Sequence, residues 1–405
     1  MNIGYLIPEY PGQTHSFFWR EIEALQQRHG HRVKVFSTRL PAEPVYHDWT
    51  DQAPADYLYP IGFLKLVSLV PALASAFPKL ISDRDTRRIL RNPRNLALFV
   101  MAMQLGRFCH RHEIEHLHIH SCANAALIGA LLNQVSGLPY SLVLHGPIHY
   151  FGPYQFYKWR RAAFAIAITK RLQSEVAELF PERTGDILVA PMGVDVDQFH
   201  PKGRDSVGVS DVWRWFSCGR LNRGKGYDVL LKAIRILVQD SDLPPFRVDI
   251  AGEDEQGGKG YRATLAEEIK TAELNDIVCL RGAIEQKQVQ KSLQRADGFV
   301  LASREEALGV AYMEAMACGL PTIGTNTGGV AELINDGKDG LLVSPGDEVA
   351  LAHAMRRVML DGNLRIALSK SARHRVVTQF DSARSADVLA SALERVGISK
   401  KSILR

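Results

Sequence analysis

Along the whole chain, short apolar runs rich in β-branched residues alternate with longer stretches of helix-forming residues, and no other feature limits the fold as much. "NIGYLI", "RVKVFST", "HLHIHS", "YSLVLHG" and "FAIAIT" alternate with stretches such as "FFWREIEALQQR" and "AALIGALLNQVSG". Strands that are apolar on both faces and joined by helical crossovers belong to a parallel sheet with helices on either side. The expected class is therefore α/β, with a doubly wound sheet.

The pattern then starts again. After "VAPMGVDVDQFHPKGRDSVG", a connector rich in proline, glycine and aspartate, come "WRWFSCGR", "FRVDIAG", "DIVCLRG", "DGFVLAS", "LPTIGT" and "GLLVSP". Two Rossmann-like domains are expected, 1–200 and 201–383, facing a central cleft of the kind in which such folds take ligands. Residues 384–405 read as a C-terminal helix crossing back to the N-terminal domain. A chain of 405 residues is too long for one ordinary core, which agrees with two domains.

Composition narrows the function. Hydrophobic residues at 46% and charged residues at 23% are ordinary for folded proteins and exclude wholesale disorder. The net charge of +5 is small for this length and no lysine-arginine tract is present, so a nucleic-acid partner is not expected. Cys109, Cys122, Cys218, Cys279 and Cys318 are scattered with no CxxC pair, which indicates neither a disulfide framework nor a zinc site and fits a reducing compartment. "MNIGYLIPEYPGQ" reads as a first strand rather than a secretion signal, so the expected location is cytoplasmic.

Residues 61–81 form the one membrane-like window, but Lys65, Pro71 and Pro78 interrupt it, and a buried or interfacial helix fits better than a span. Just beyond, Lys79, Arg84, Arg87, Arg88, Arg91 and Arg94 face only Asp83 and Asp85. A solvated helix face and a contact with anionic lipid head groups both fit that excess.

Two segments carry candidate chemistry. "FSCGRLNRGKGYDVLLKAI" begins as a strand, turns at Gly219 and enters a helix after Lys225-Gly226. Such a turn lets backbone approach a phosphate while Arg220 and Lys225 offer two positive charges, although a solvated glycine turn explains the same residues. It is not a GxxxxGK[ST] loop, because Gly226 follows the lysine.

In "DGFVLASREEALGVAYMEAMACGLP" a strand leads to a loop carrying Glu306, then to a helix carrying Glu314 that stops at Gly319-Leu320-Pro321. The amides of Leu308, Gly309 and Val310 would stand at the helix start, where an anion is favoured. Ionised Glu306 and Glu314 could then accept hydrogen bonds from sugar and ribose hydroxyls. The alternative is a helix cap for Glu306 and a lysine partner for Glu314.

"CGRLNRGKG" together with "EEALGVAYMEAMACGLPTIGTNTGGVAELINDGKDGLLVSPGD" resembles the donor domain of GT-B glycosyltransferases, specifically the retaining family 4 group with its glutamate, seven residues, glutamate signature. "HLHIHSCANAALIG", "LVLHG" and "APMGVDVDQF" extend the likeness through most of the chain. Several segments are also similar to the exopolysaccharide, colanic-acid-like branch.

The resemblance implies that Arg220 and Lys225 hold a donor diphosphate, and that Glu306 with the Leu308 and Gly309 amides holds the sugar and its phosphate. It puts the ribose on Glu314 and the nucleobase against Gly282, Ala283 and Ile284. His145 of "LVLHG" matches a histidine that reaches the donor sugar, and Gly12 of "PEYPGQTH" matches a loop that closes over phosphate and acceptor. The implied reaction is metal-independent transfer, with retention, from a UDP- or GDP-sugar as co-substrate to a glycan or lipid-linked glycan. No cofactor is implied.

Two departures stand out. "EALG" replaces the commoner "EGFG", and the first loop has one glycine where two are common.

His116, His118 and His120 alternate along a strand and share a face, a possible metal geometry. The family has a similar histidine pair without metal, and no further ligand is evident, so no metal site is expected. The "DVD" at 195–197 reads as structural. A nucleotide-sugar epimerase of the same fold and an inactive sugar-nucleotide-binding scaffold are the competing functions.

Overall fold

A computed structural model describes residues 1–11, 16–41, 50–202, 212–254 and 260–403, with residues 16, 65 and 398–403 described by backbone alone. The chain divides into two compact units, Met1–Pro191 with Ala383–Arg405, and Met192–Ser382.

The first unit holds β1 (Asn2–Glu9), β2 (Arg32–Arg39), β3 (Ala55–Tyr59), β4 (His116–Ile119), β5 (Tyr140–Leu144), β6 (Ala165–Ala167) and β7 (Ile187–Val189). They form one sheet in the order β3-β2-β1-β4-β5-β6-β7, with every neighbouring pair parallel. Helices α1 (Ser16–His29), α2 (Phe63–Ser82), α3 (Arg84–Leu90), α4 (Pro93–Arg111), α5 (Asn124–Ser136), α6 (Gln155–Trp159) and α7 (Lys170–Leu179) make the connections. Every residue of β4, β5 and β6 is buried, as continuous apolar runs in a doubly covered sheet require.

One expectation needs correction. The prolines at 71 and 78 do not break the 61–81 segment: α2 runs unbroken through both. Each removes one backbone hydrogen bond, to Val67 and Ala74 respectively, and both of those residues are exposed, so water can take the vacated carbonyls. Among the described residues no helix is long and apolar enough to cross a membrane.

The second unit holds β8 (Trp213–Cys218), β9 (Phe246–Ala251), β10 (Val278–Gly282), β11 (Gly298–Val300), β12 (Thr322–Thr325) and β13 (Leu341–Val343), with order β10-β9-β8-β11-β12-β13. All of these pairs are parallel. Its helices are α8 (Tyr227–Leu237), α9 (Tyr261–Thr271), α10 (Gln286–Arg295), α11 (Val310–Ala317), α12 (Val330–Leu333), α13 (Glu348–Leu360) and α14 (Gly362–Gln379). In each unit the strand order reverses once, between β1 and β4 and between β8 and β11. The loops leaving the carboxyl ends of those strands diverge there and open a crevice, the usual ligand position in an open α/β sheet.

The final helix, α15 (Ser382–Ile403), falls almost entirely in the first unit. Ser385 of this helix donates to the Glu21 carboxylate of α1, and His29 Nε2 lies 2.8 Å from Asp387 Oδ1.

Within the second unit, Arg373 of α14 ties the connector down by donating to the carbonyls of Phe199 (2.7 Å), Ala317 (2.7 Å) and Val196 (3.0 Å). All three of those residues are buried. Arg373→Met keeps the aliphatic stem but orphans the three carbonyls, and is expected to lower unfolding free energy by about 2–3 kcal/mol, read from the urea midpoint.

Candidate functional site

The loops after β8 and β11 meet at the strand reversal of the second unit. Beyond β8, Gly219 and Arg220 lead to a short turn over Arg223–Lys225, capped by the Asn222 side chain, which accepts from the Lys225 amide at 3.1 Å. Gly226 then enters α8 with φ of +66°, and a Cβ there would stand 1.8 Å from the Ala302 carbonyl oxygen. A side chain is excluded on both counts. This close approach lays the two loops against each other, and the Arg304 amide donates to the Gly224 carbonyl at 2.7 Å.

The loop after β11 is gripped from its other side as well. Thr327 donates to the Arg304 carbonyl at 2.9 Å, Thr325 to that of Ser303 at 2.5 Å, and the Gly329 amide to that of Glu306 at 3.1 Å. Arg304 makes a two-pronged contact with Asp228 in the first turn of α8, both distances 2.7 Å. Burial pushes the Asp228 carboxyl up, but the hydrogen bonds and charge of Arg304 outweigh it and hold the group below the usual range.

On this frame Lys225 Nζ lies 2.5 Å from Glu306 Oε2, both side chains largely shielded from solvent. Ser303 Oγ stands 3.4 Å from the same oxygen. Arg220 is exposed at the mouth of the turn. Gly309 begins α11 with no side-chain cap, so Glu306 is not a helix cap. The first amides of that helix, with Val310 at its start, have no partner within the helix by construction.

Glu314 is buried on α11. Burial, and after it the nearby Glu314 charge, pushes the thiols of Cys218 and Cys318 up to about 12 each. Gly282, at the end of β10, is buried, while Ala283 is exposed and Ile284 half-buried. Beside Gly282 lies the Glu253–Arg262 ion pair at 2.6 Å.

The second unit thus brings Lys225 and Glu306 into direct contact and sets Gly309, Val310 and Glu314 on the adjoining helix. Leu308 behaves differently, because its side chain is buried at 1% exposure and only its backbone lies on the loop.

In the first unit His145 follows β5, with its Nε2 3.3 Å from His120 Nδ1. The Phe17 and Phe18 rings of α1 lie 5.5 and 5.9 Å from its ring. Gly12 lies outside the described residues. His116 Nε2 and His118 Nδ1 share the Ser141 hydroxyl at 2.9 and 2.7 Å, so these side chains do share a face.

Sequence reasoning missed Glu21, which joins His118 and His120 with ligating atoms all within 4.8 Å of one another. Tyr5 and Ser385 hydroxyls donate to its two oxygens, and the Nε2 atoms of His118 and His120 stand 3.8 and 3.7 Å from Oε1. Asp195 of the "DVD" caps its own turn, accepting from the amides of Asp197 (3.0 Å) and Gln198 (2.8 Å).

The architecture is that of the GT-B proteins. The Anabaena HepE crystal structure, in complex with UDP, superposes with a TM-score of 0.76 over 98% of this chain and 100% of that one, at 18% identity, a level that speaks to the fold. Residues 17–198 match the model described as Glycosyltransferase Family 4 and residues 204–375 that described as Glycosyl transferases group 1, and by these two halves the chain belongs to the family 4 glycosyltransferases of GT-B fold.

Among curated relatives, the amylovoran biosynthesis glycosyltransferase AmsK of Erwinia amylovora is 33% identical over 52% of this chain and 51% of its own length. The GDP-mannose-dependent alpha-(1-6)-phosphatidylinositol monomannoside mannosyltransferase of Mycolicibacterium smegmatis is 28% identical over 77% of this chain and 86% of its own. The chain spans about half the length of the first curated relatives it matches.

Because Gly226 leaves no room for a methyl against the Ala302 carbonyl, Gly226→Ala is expected to displace the 223–226 turn. The expected cost is roughly 2–4 kcal/mol of stability, read by denaturant unfolding.

Proposed function

We propose that the protein is a retaining glycosyltransferase that moves a sugar from a nucleoside-diphosphate sugar to a glycan or lipid-linked glycan in bacterial exopolysaccharide synthesis. The observation that carries this reading is the Lys225–Glu306 contact of 2.5 Å at the strand reversal. It joins a cation suited to a leaving phosphate and a carboxylate suited to a sugar hydroxyl, next to the start of a helix. AmsK supports the polysaccharide context, and the UDP bound in HepE and the GDP-mannose dependence of the mycobacterial mannosyltransferase support a nucleotide sugar as donor.

Sugar transfer passes through a state in which the anomeric carbon gains positive charge and the diphosphate gains negative charge. Arg220, Lys225 and the Leu308–Val310 amides would meet that growing negative charge, and so bind the transition state more strongly than the ground state. In this reading Glu306 accepts from the sugar, Glu314 from the ribose, and the base lies along Gly282, Ala283 and Ile284. His145 is assigned a further contact with the sugar. Attack comes on the face the diphosphate leaves, with the departing phosphate oxygen taking the acceptor proton. The chemistry needs no metal.

Lys225→Ala and Glu306→Ala are each expected to lower turnover at least about 100-fold in a protein that still folds, with a lowered melting temperature because each leaves the other charge without its partner. Nucleoside-diphosphate release, with donors first selected by thermal shift across a panel of nucleotide sugars, measures it. Near-normal turnover in either variant would end the assignment, and conversion of donor without acceptor would favour an epimerase.

The reading includes peripheral contact with an anionic membrane at the cytoplasmic face. Helix α2 exposes Phe63 (78%), Leu64 (83%), Val70 (57%) and Phe77 (56%), an apolar face larger than a soluble helix ordinarily leaves to water. Arg84, Arg87, Arg88, Arg91 and Arg94 are exposed beside it. The two nearby acids do not cancel them: Arg160 holds Asp83 at 2.8 Å and Asp85 at 2.5 Å, and Arg161 also reaches Asp83.

Co-sedimentation with anionic vesicles is expected, together with its loss in Phe63→Asp/Leu64→Asp and weaker binding in high salt. Equal binding to neutral vesicles would contradict the electrostatic part.

A further inference from the structure

We infer that Glu21 and His120 are positioning residues for His145: the carboxylate on α1 fixes the protonation pattern of the His120 imidazole, which in turn fixes the tautomer that His145 presents. The inference rests on the reading of His145 as a sugar contact, and the experiment below separates the two.

Glu21 is drawn into the first unit at 9% exposure, a position a glutamate takes only with partners. Tyr5 of β1 donates to Oε1 at 2.7 Å and Ser385 of α15 donates to Oε2. Burial raises the carboxyl above the usual carboxylate range, and the Ser385 and Tyr5 hydroxyls offset only part of that rise. His120 Nε2 lies 3.7 Å from Oε1 while its Nδ1 lies 3.3 Å from His145 Nε2. The His120 ring is wedged among Tyr5 (4.8 Å), Phe18 (4.6 Å) and His118 (4.7 Å), measured between ring centres.

The proton arrangement follows from charge. An Nε2–H on His120 faces the Glu21 oxygen, whereas a bare Nε2 would set a lone pair against a carboxylate. With the proton on Nε2, the His120 Nδ1 is an acceptor, so His145 donates from Nε2 and is left with Nδ1 to accept from a hydroxyl.

His118 does not replace His120 in this role. Its Nε2 stands 3.8 Å from the same oxygen, but its Nδ1 is engaged with Ser141 rather than with His145. Burial, followed by the neighbouring His116 and His145, also pushes its pKa well below the ordinary value, so it is neutral. Among the described residues, the groups facing Glu21 are thus Tyr5 from β1, His118 from β4, His120 just beyond that strand, and Ser385 from α15.

The test compares His145→Ala, His120→Phe, Glu21→Gln and the His120→Phe/His145→Ala double variant in the full chain. It combines steady-state kinetics with imidazole 15N spectra, in which the His145 signals are those lost in His145→Ala. Glu21→Gln and His120→Phe are expected to lower kcat about tenfold or more with donor KM within about twofold. The double variant is expected to be no worse than His145→Ala alone, because the first residue acts through the second. Glu21→Gln is also expected to move the His145 nitrogens from the Nε2–H pattern toward mixed tautomers.

Unchanged kcat and unchanged His145 nitrogens in both single variants would overturn the inference. Should His145→Ala itself turn over normally, the sugar-contact reading fails, and the nitrogen shifts alone then decide the relay. Glu21→Gln is isosteric, so it carries the test even if His120→Phe does not fold.

Discussion

A lysine and a glutamate in contact at 2.5 Å, with little of either side chain exposed, set the character of the second unit, and the surrounding backbone is arranged to make that contact possible. In a partly desolvated place the attraction between two unit charges is several times larger than in water, and so is the penalty for exposing either one alone. The pair therefore needs loops that cannot drift. Those loops are locked by main-chain contacts: Gly226 against the Ala302 carbonyl, Arg304 N–H on Gly224, and the threonines and glycines of 325–329 on 303–306. Under the proposed function, a diphosphate arriving at Lys225 would compete with Glu306 for the same ammonium, freeing the carboxylate to accept from a hydroxyl. Anion binding and sugar binding would thus be coupled through one proton-rich group.

The first unit gathers rings and hydroxyls around a single buried carboxyl. Its strand reversal lies between β1 and β4, and the side chains that meet around Glu21 are histidines, a tyrosine and a serine. Burial keeps His118 neutral, and the Tyr5 and Ser385 hydroxyls supply Glu21 with the donors that a cation would otherwise supply. Such a network holds geometry without a fixed positive charge, which suits contacts to uncharged hydroxyls better than contacts to phosphate.

Much of this was legible before any coordinates. The strands read from continuous apolar runs all appear, since a doubly covered parallel sheet leaves no polar alternation to confuse the pattern. β3 and β7 were not read: "ADYLY" has only one fully buried residue, and "ILV" is three residues long and leans into the connector. The prolines of α2 misled because their cost depends on whether the vacated carbonyl is dry, which a sequence does not tell. That the loops carrying Lys225 and Glu306 belong to one site could be anticipated from glycine turns and a helix start, but their direct contact could not. The Arg304–Asp228 clamp and the reach of Glu21 to His120 could not, since each joins residues far apart in the chain with no periodic signal between them.

The departures from the commoner loop pattern have a physical account. Among the described residues, positive φ outside glycine occurs at Glu113, Tyr154 and Glu273, so Ala307 takes an ordinary backbone conformation and its Cβ introduces no strain. The left-handed turn needed to enter α11 is supplied two residues later by Gly309, with φ of +95°. Leu308, standing where an aromatic is usual, sends its side chain into the core. It therefore acts on the loop by packing beneath it and offers a ligand only its backbone. A substitution at 308 should consequently act on how firmly the amides are held, whereas the half-buried Ala307 leaves part of its surface to solvent on the same loop.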